Sequence, residues 1–211
     1  LETIYQKYTI KKEYKPDATQ SAYRALRNRA LSFLAYQDSA FLAKIQATGA
    51  QNMTDQLSAF STVIKHNPKS DHIKLFYDQW KHERLVIDKW FSAQVLAAHP
   101  NSLTKVVKNL TTHSDFTIKT PNRVRSVLGA FSANTAGFHL ETGENYKLFS
   151  DWILKVDPVN PQVGARMCSA FETWKRYDPK RQKLIKSQIN RVLGAESVSK
   201  DTREMLTRLI N

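Results

Sequence analysis

The sequence predicts an all-α chain wound as a superhelix, or solenoid, of antiparallel helix pairs. Three observations predict it. Apolar residues recur at i, i+3, i+4 and i+7 in segment after segment, the period of a helix with one buried stripe. Only 6 Gly and 7 Pro punctuate the 211 residues. No stretch shows the sustained alternation of a strand. Short links between about ten or eleven such helices make successive ones antiparallel neighbours, and strings of these hairpins stack as armadillo and HEAT arrays do. No fixed sequence period is visible, so the repeats are degenerate.

Residues 1–17 hold Tyr5, Tyr8 and Tyr14 among lysines and read as strand-like or coil, a lead-in from an upstream region. Residues 18–211 read as a single helical domain. Its first stripe is Ala22, Leu26, Ala30 and Phe33, and Phe41, Ile45 and Ala47 make a shorter second one. Met53, Leu57, Phe60 and Ile64 make a third, stopped at Asn67-Pro68 because the residue before proline disfavours helix. Ile73, Phe76, Tyr77 and Trp80 give the fourth. The segment from Leu85 to Ala98 is apolar over most of its circumference, which predicts an interior helix. Further on, Asn160-Pro161 and Asp178-Pro179 each read as an N-cap followed by a proline in the first helical position.

The clearest helix runs from Lys119 to His139. Val124, Val127, Leu128 and Phe131 form its buried stripe, and Arg123 and Arg125 lie near the two edges of that stripe. Arg125 shares a column with Gly129 and Ser132, so little side-chain bulk stands beside its guanidinium. Gln162, Arg166 and Ser169 make a second column at i, i+4 and i+7. Two readings of Arg125 and Arg166 stand at this point. They bind helix-end carbonyls or acids within the domain, or they project into the hollow of the superhelix, where an arginine can grip a carboxylate through two parallel hydrogen bonds.

Net charge is +13, a field that attracts nucleic acid, acidic lipid or an acidic neighbouring domain. The charges are spread along the chain, and the densest piece, Lys175 to Lys186, reads as a solvated helix face. No apolar run approaches the ~20 residues of a membrane span. The N-terminus has neither an initiator Met nor the pattern of a signal peptide, so the chain reads as a fragment. The single cysteine, Cys168, excludes an internal disulfide and reads as a buried structural thiol, consistent with a reducing compartment. None of the six histidines pairs with another at i+3 or i+4, and H-E-x-x-H, G-x-S-x-G and phosphate-loop motifs are absent. No catalytic residue, metal ligand or cofactor is expected in this chain.

Six segments carry a family resemblance: AYRALRNRALSFLA (Ala22 to Ala35), NMTDQLSAFS (Asn52 to Ser61), LVIDKWFSAQ (Leu85 to Gln94), TPNRVRSVLGAFSANTAGFH (Thr120 to His139), NPQVGARM (Asn160 to Met167) and KRYDPKRQ (Lys175 to Gln182). In this order they resemble the C-terminal helical domain of the bacterial aminopeptidase N family, over nearly the whole chain from Ala22. The resemblance implies a cytoplasmic zinc aminopeptidase that removes N-terminal residues from peptides. It implies that the zinc, its H-E-x-x-H motif and the amine-binding loop belong to a catalytic domain of the same polypeptide. This chain would then be the distal part of a superhelix that caps the catalytic domain and lines the substrate chamber. The matching positions imply that Arg125 faces the chamber, that Gln162 lies near the pocket for the first side chain, and that Arg166 points toward the C-terminal side of the peptide.

Two other readings compete. A stand-alone basic helical-repeat scaffold would bind nucleic acid through its charge, in a way that weakens steeply with salt. A repeat array without an enzymatic host would bind a protein partner. No recognisable DNA- or RNA-reading motif supports the first, so nucleic acid is not an expected partner; peptides are.

Overall fold

Residues 1–211, described in a computed structural model, fold into α-helices joined by turns and short 3₁₀ segments, with no strand. They divide into two compact units, Leu1–Ala97 and Ala98–Asn211. No helix is long and apolar enough to cross a membrane.

The first unit comprises α1 (Glu2–Lys7), α2 (Ala18–Leu34), α3 (Phe41–Gly49), α4 (Met53–His66), α5 (His72–Trp80) and α6 (Arg84–Ala97). Asp17 starts α2 by accepting the Gln20 amide at 2.7 Å, and Asn52 starts α4 by accepting the Asp55 amide at 2.9 Å. The central helix is α4, which packs on α2, α3, α5 and α6. It buries Ala59, Phe60, Val63 and Ile64, and Phe60 stacks on Phe76 with ring centroids 4.5 Å apart.

Three expectations change in this unit. Residues 2–7 form a helix rather than strand or coil, because Tyr5 is drawn into the core. Its hydroxyl donates to Gln46 Oε1 at 3.1 Å and accepts from Arg27 Nη2 at 3.1 Å. Helix α2 is rotated from its predicted stripe. Ala30 is buried as expected, but Ala22, Leu26 and Phe33 are exposed, while Arg24, Asn28, Leu31 and Leu34 are buried. The inward polar side chains are held by partners distant in sequence: Asn28 Nδ2 donates to Asp55 Oδ1 at 2.8 Å, and Gln46 Nε2 donates to Asn28 Oδ1 at 2.7 Å. Helix α6 buries Ile87, Trp90, Phe91 and Val95 but leaves Leu85 and Leu96 exposed, so it is one-sided rather than fully interior.

The second unit opens with a 3₁₀ turn at Pro100–Ser102 and continues through α7 (Leu103–Thr111) and α8 (Pro121–Val124). A π-helical segment, Arg125–Gly129, leads straight into α9 (Ala130–Ala133), followed by α10 (Thr135–Phe138). Then come α11 (Glu144–Val156), α12 (Pro161–Met167), α13 (Pro179–Leu193) and α14 (Lys200–Ile210). The predicted caps are present. Asn160 Oδ1 accepts the Val163 amide at 3.1 Å, and Asp178 Oδ1 accepts the Arg181 amide at 3.0 Å. The core is aromatic: Phe131, Phe138, Tyr146, Phe149 and Phe171 meet mostly edge to face.

The stretch from Lys119 to His139 is therefore not one regular helix. Val124, Val127, Leu128 and Phe131 are all buried as expected, but the backbone widens into the π turn between them. Asn134 then leaves helical geometry, donates to the Ala98 carbonyl at 2.9 Å and caps α10 by accepting the Gly137 amide at 3.2 Å.

Candidate functional site

The two polar columns meet at a groove of about 640 Å³ within the second unit. One wall is the π segment and the start of α9, presenting Arg125, Gly129 and Ser132. The other is α12 with the 3₁₀ turn that follows it (Cys168–Phe171), presenting Gln162, Arg166 and Ser169. Val124, Phe149 and Met167 supply an apolar floor. All three predicted site residues thus share one concave surface.

The local chain explains why. Pro121 starts α8 with no amide to leave unsatisfied, and the buried stripe fixes the helix against the core. The π turn, a feature enriched at functional sites, sits at the residues that face the groove. A Cβ built on Gly129 would lie 3.9 Å from the Cβ and Cγ of Arg125, so the glycine leaves open space beside the Arg125 stem. Across the groove, the Asn160 cap and Pro161 start α12 and set Gln162 and Arg166 one turn apart on the same side.

The electrostatics of the groove are one-signed. Two guanidinium groups line it and no carboxylate does. Arg125 and Arg166 are both exposed, and neither makes a hydrogen bond or ion pair within the chain. The reading in which they satisfy helix-end carbonyls or internal acids does not hold for them. It holds for their neighbour: Arg123 is buried and donates from Nη1 to the Asp115 carbonyl at 2.5 Å. Two arginines separated by one residue therefore have separate employments, one in the fabric of the domain and one in the groove.

Other polar groups are structural. Cys168 is fully buried, donates to the Gly164 carbonyl at 3.4 Å, and burial pushes its thiol up to about 12, so no thiolate is presented. His139 accepts or donates at Nδ1 with the Tyr146 hydroxyl, 2.9 Å away, and stacks on Tyr177 at 4.1 Å. Burial, then the Arg181 charge, holds His139 down to about 4, and burial raises Tyr146 to about 12. The basic run from Lys175 to Lys186 is only partly a solvated face. Arg181 donates from Nε to the His139 carbonyl at 2.7 Å and pairs with Asp178 at 2.6 Å, while its lysine neighbours stay in solvent. Sequence periodicity misses this anchor because its partner lies 42 residues away. No group of three or more His, Cys, Asp or Glu is placed to hold a metal ion.

A family model described as "Domain of unknown function (DUF3458_C) ARM repeats" matches residues 1–211. Among curated proteins, the chain is 36% identical over 204 residues to aminopeptidase N of Escherichia coli (strain K12), covering 94% of this chain and 23% of that protein. It is 32% identical over 216 residues to aminopeptidase N of Caulobacter vibrioides, covering 100% of this chain and 25% of that protein. Among solved structures it resembles Legionella pneumophila aminopeptidase A in complex with aspartic acid, with a TM-score of 0.88 at 28% identity, over 99% of this chain and 25% of that one. The chain thus spans about a quarter of the length of the relatives it matches.

Proposed function

The chain belongs to the family of ARM-repeat domains described as DUF3458_C, and from that premise we propose that it is the non-catalytic helical domain of a zinc-dependent aminopeptidase. The host enzyme removes N-terminal residues from peptides in the cytoplasm. This domain caps the catalytic domain of the same polypeptide and lines the chamber in which the peptide lies. In this reading the metal and the hydrolytic step belong to the rest of the enzyme.

The observation that supports this reading best is the pair of unengaged guanidiniums, Arg125 and Arg166, in a groove without a carboxylate. A peptide brings one obligatory anion, its C-terminal carboxylate, and the planar fork of an arginine matches it with two parallel hydrogen bonds. Gln162, on the same wall as Arg166, offers an amide oxygen to a cationic first side chain and an amide NH₂ to a peptide carbonyl. The apolar floor takes the aliphatic and aromatic side chains between. This domain would therefore hold and orient the peptide while the neighbouring domain cuts it.

The test uses the full-length enzyme. Arg125→Ala and Arg166→Ala each lower kcat/KM about tenfold for peptides with a free C-terminus, modest because both groups face solvent. Peptides amidated at the C-terminus stay near wild type, and bound zinc is unchanged. Wild-type kinetics on every peptide, or loss of zinc, would overturn the assignment.

A further inference from the structure

The groove lies in the second unit. The first unit holds a cavity of its own, of about 420 Å³, and the charge around it is lopsided. Its walls are the segment between α1 and α2, one side of α2, and the turn from α3 into α4. Lys11 and Lys12 are exposed at its edge, and Arg24 and Arg27 reach it from α2. Against these four cations the lining holds one carboxylate, Asp55.

That carboxylate is already committed. Asp55 Oδ1 accepts from Asn28 Nδ2 at 2.8 Å, and Oδ2 accepts from Asn52 Nδ2 at 3.0 Å and from Arg27 Nη1 at 3.5 Å. Arg27 is therefore paired, and Arg24 is not. Arg24 is only 3% exposed, yet its guanidinium rests on three neutral oxygens: Gln20 Oε1 at 3.2 Å, the Lys15 carbonyl at 3.3 Å and Ser21 Oγ at 3.1 Å. It forms no ion pair, and its Nε has no hydrogen-bond partner. The half-exposed Tyr14 ring, 4.8 Å away, offers only its π face. Arginines are almost never buried without a counter-charge, because an ion taken out of water is costly unless an opposite charge replaces the solvent. Lys11 and Lys12 add to the same positive field rather than cancel it.

We propose that this cavity binds a small anion carrying two or more negative charges, of the phosphate or the dicarboxylate class. The rim lysines meet the anion from the solvent side as mobile point charges, and it compensates the buried charge of Arg24 beneath them. The volume suits a molecule of metabolite size. The segment between α1 and α2 is already tied to α2 by Gln20, which accepts the Lys15 amide at Oε1 and donates from Nε2 to the Glu13 carbonyl, both at 2.9 Å. An anion shared by Lys11, Lys12 and α2 is a second clasp on that segment, so its binding stabilises the folded chain. This inference uses no residue of the groove and does not depend on the peptide-binding reading.

Titration calorimetry on the full-length polypeptide tests it. Inorganic phosphate and succinate are the probes, and sodium chloride at matched ionic strength is the reference. Every measurement is made in an Arg125→Ala/Arg166→Ala background, so that anions are not scored at the groove. Saturable binding of at least one probe is expected, and the tighter of the two assigns the class. Lys11→Gln/Lys12→Gln should weaken that binding about tenfold or more, while Lys183→Gln/Lys186→Gln, the same charge change on α13, should leave it within about twofold. In thermal unfolding, both variants should match their background without anion, and the rise in Tm with anion should be lost only with Lys11 and Lys12. No saturable binding above the chloride reference would overturn the proposal. So would equal weakening by the two lysine pairs, which would assign the anions to the diffuse charge of the surface.

Discussion

The carboxylate of Asp157, at the end of α11, is the anchor for Ser199 at the start of α14. Asp157 Oδ2 accepts the Ser199 amide and Oδ1 accepts the Ser199 hydroxyl, both at 2.7 Å, and Oδ1 also accepts Thr202 Oγ1 at 2.6 Å. The carboxylate is fully buried, and Ser199 in turn caps α14 by accepting the Thr202 amide at 3.2 Å. One side chain thus ties together helices separated by more than 40 residues.

Asp157→Ala should destabilise the domain by ~2–4 kcal/mol, because it strands three donors in the interior. Gly164 packs directly on this carboxylate. A Cβ there would stand 2.6 Å from Oδ1 and 2.8 Å from the Asp157 Cα, so Gly164→Ala must push the anchor apart, at ~1–3 kcal/mol. Gly129→Ala is the counter-case: its Cβ would meet only the Arg125 stem, at 3.9 Å. Relief of chain entropy should make that variant more stable by ~0.4–1 kcal/mol. Urea unfolding of the three variants checks both signs, and equal effects at the two glycines would contradict this packing.

His139 gives a pH signature. Its folded-state value of about 4 lies below the ordinary value of 6.5, so the unfolded chain takes up the proton first as pH falls. Above about pH 6.5 the group contributes no pH dependence. Between about 6.5 and 4 stability declines, on the order of 2 kcal/mol, and below 4 this contribution is flat. His139→Asn keeps a polar atom near Tyr146 and should flatten the profile in that window. A variant with the wild-type slope would show that other groups set it.

Much of the second unit was legible in the sequence because its signals are local. The caps at Asn160 and Asp178 act over three residues, and the columns of Arg125 and of Gln162 and Arg166 follow from helical spacing. What was not legible depends on distant partners. Nothing near Asn28 announces Asp55, 27 residues on, or Gln46, 18 residues on, yet these two decide which way α2 faces. Periodicity finds an apolar stripe without saying what covers it, which is why Leu26 and Phe33 read as core. The π turn left no signal either: Val124 to Phe131 has the same apolar spacing in a regular helix.

The charge of +13 makes nucleic acid the natural competitor for this surface. Its lysines and arginines occur on α2, α4, α7, α13 and α14 rather than along a single helix. Gel shifts with duplex DNA and single-stranded RNA should therefore give no discrete complex at ~150 mM salt, the range in which diffuse charge is screened. A discrete, sequence-dependent band at that salt would favour a scaffold over an enzyme domain.

Arg123 and Arg125 provide the sharpest separation of fabric from function. Arg123 is buried and holds the Asp115 carbonyl, so Arg123→Ala removes a charged hydrogen bond from the interior and should cost ~1.5–3 kcal/mol. Arg125 projects into the groove without an internal partner, so Arg125→Ala should change stability by less than ~0.5 kcal/mol. In the full-length enzyme the order reverses for peptide kinetics. Arg125→Ala should weaken turnover of peptides with a free carboxylate, while Arg123→Ala, measured well below its lowered melting temperature, should act like wild type on free and amidated peptides alike. Denaturation curves and paired-substrate kinetics on the two variants decide it: if both lose stability equally, or if the peptide defect follows Arg123, the groove has been assigned to the wrong arginine.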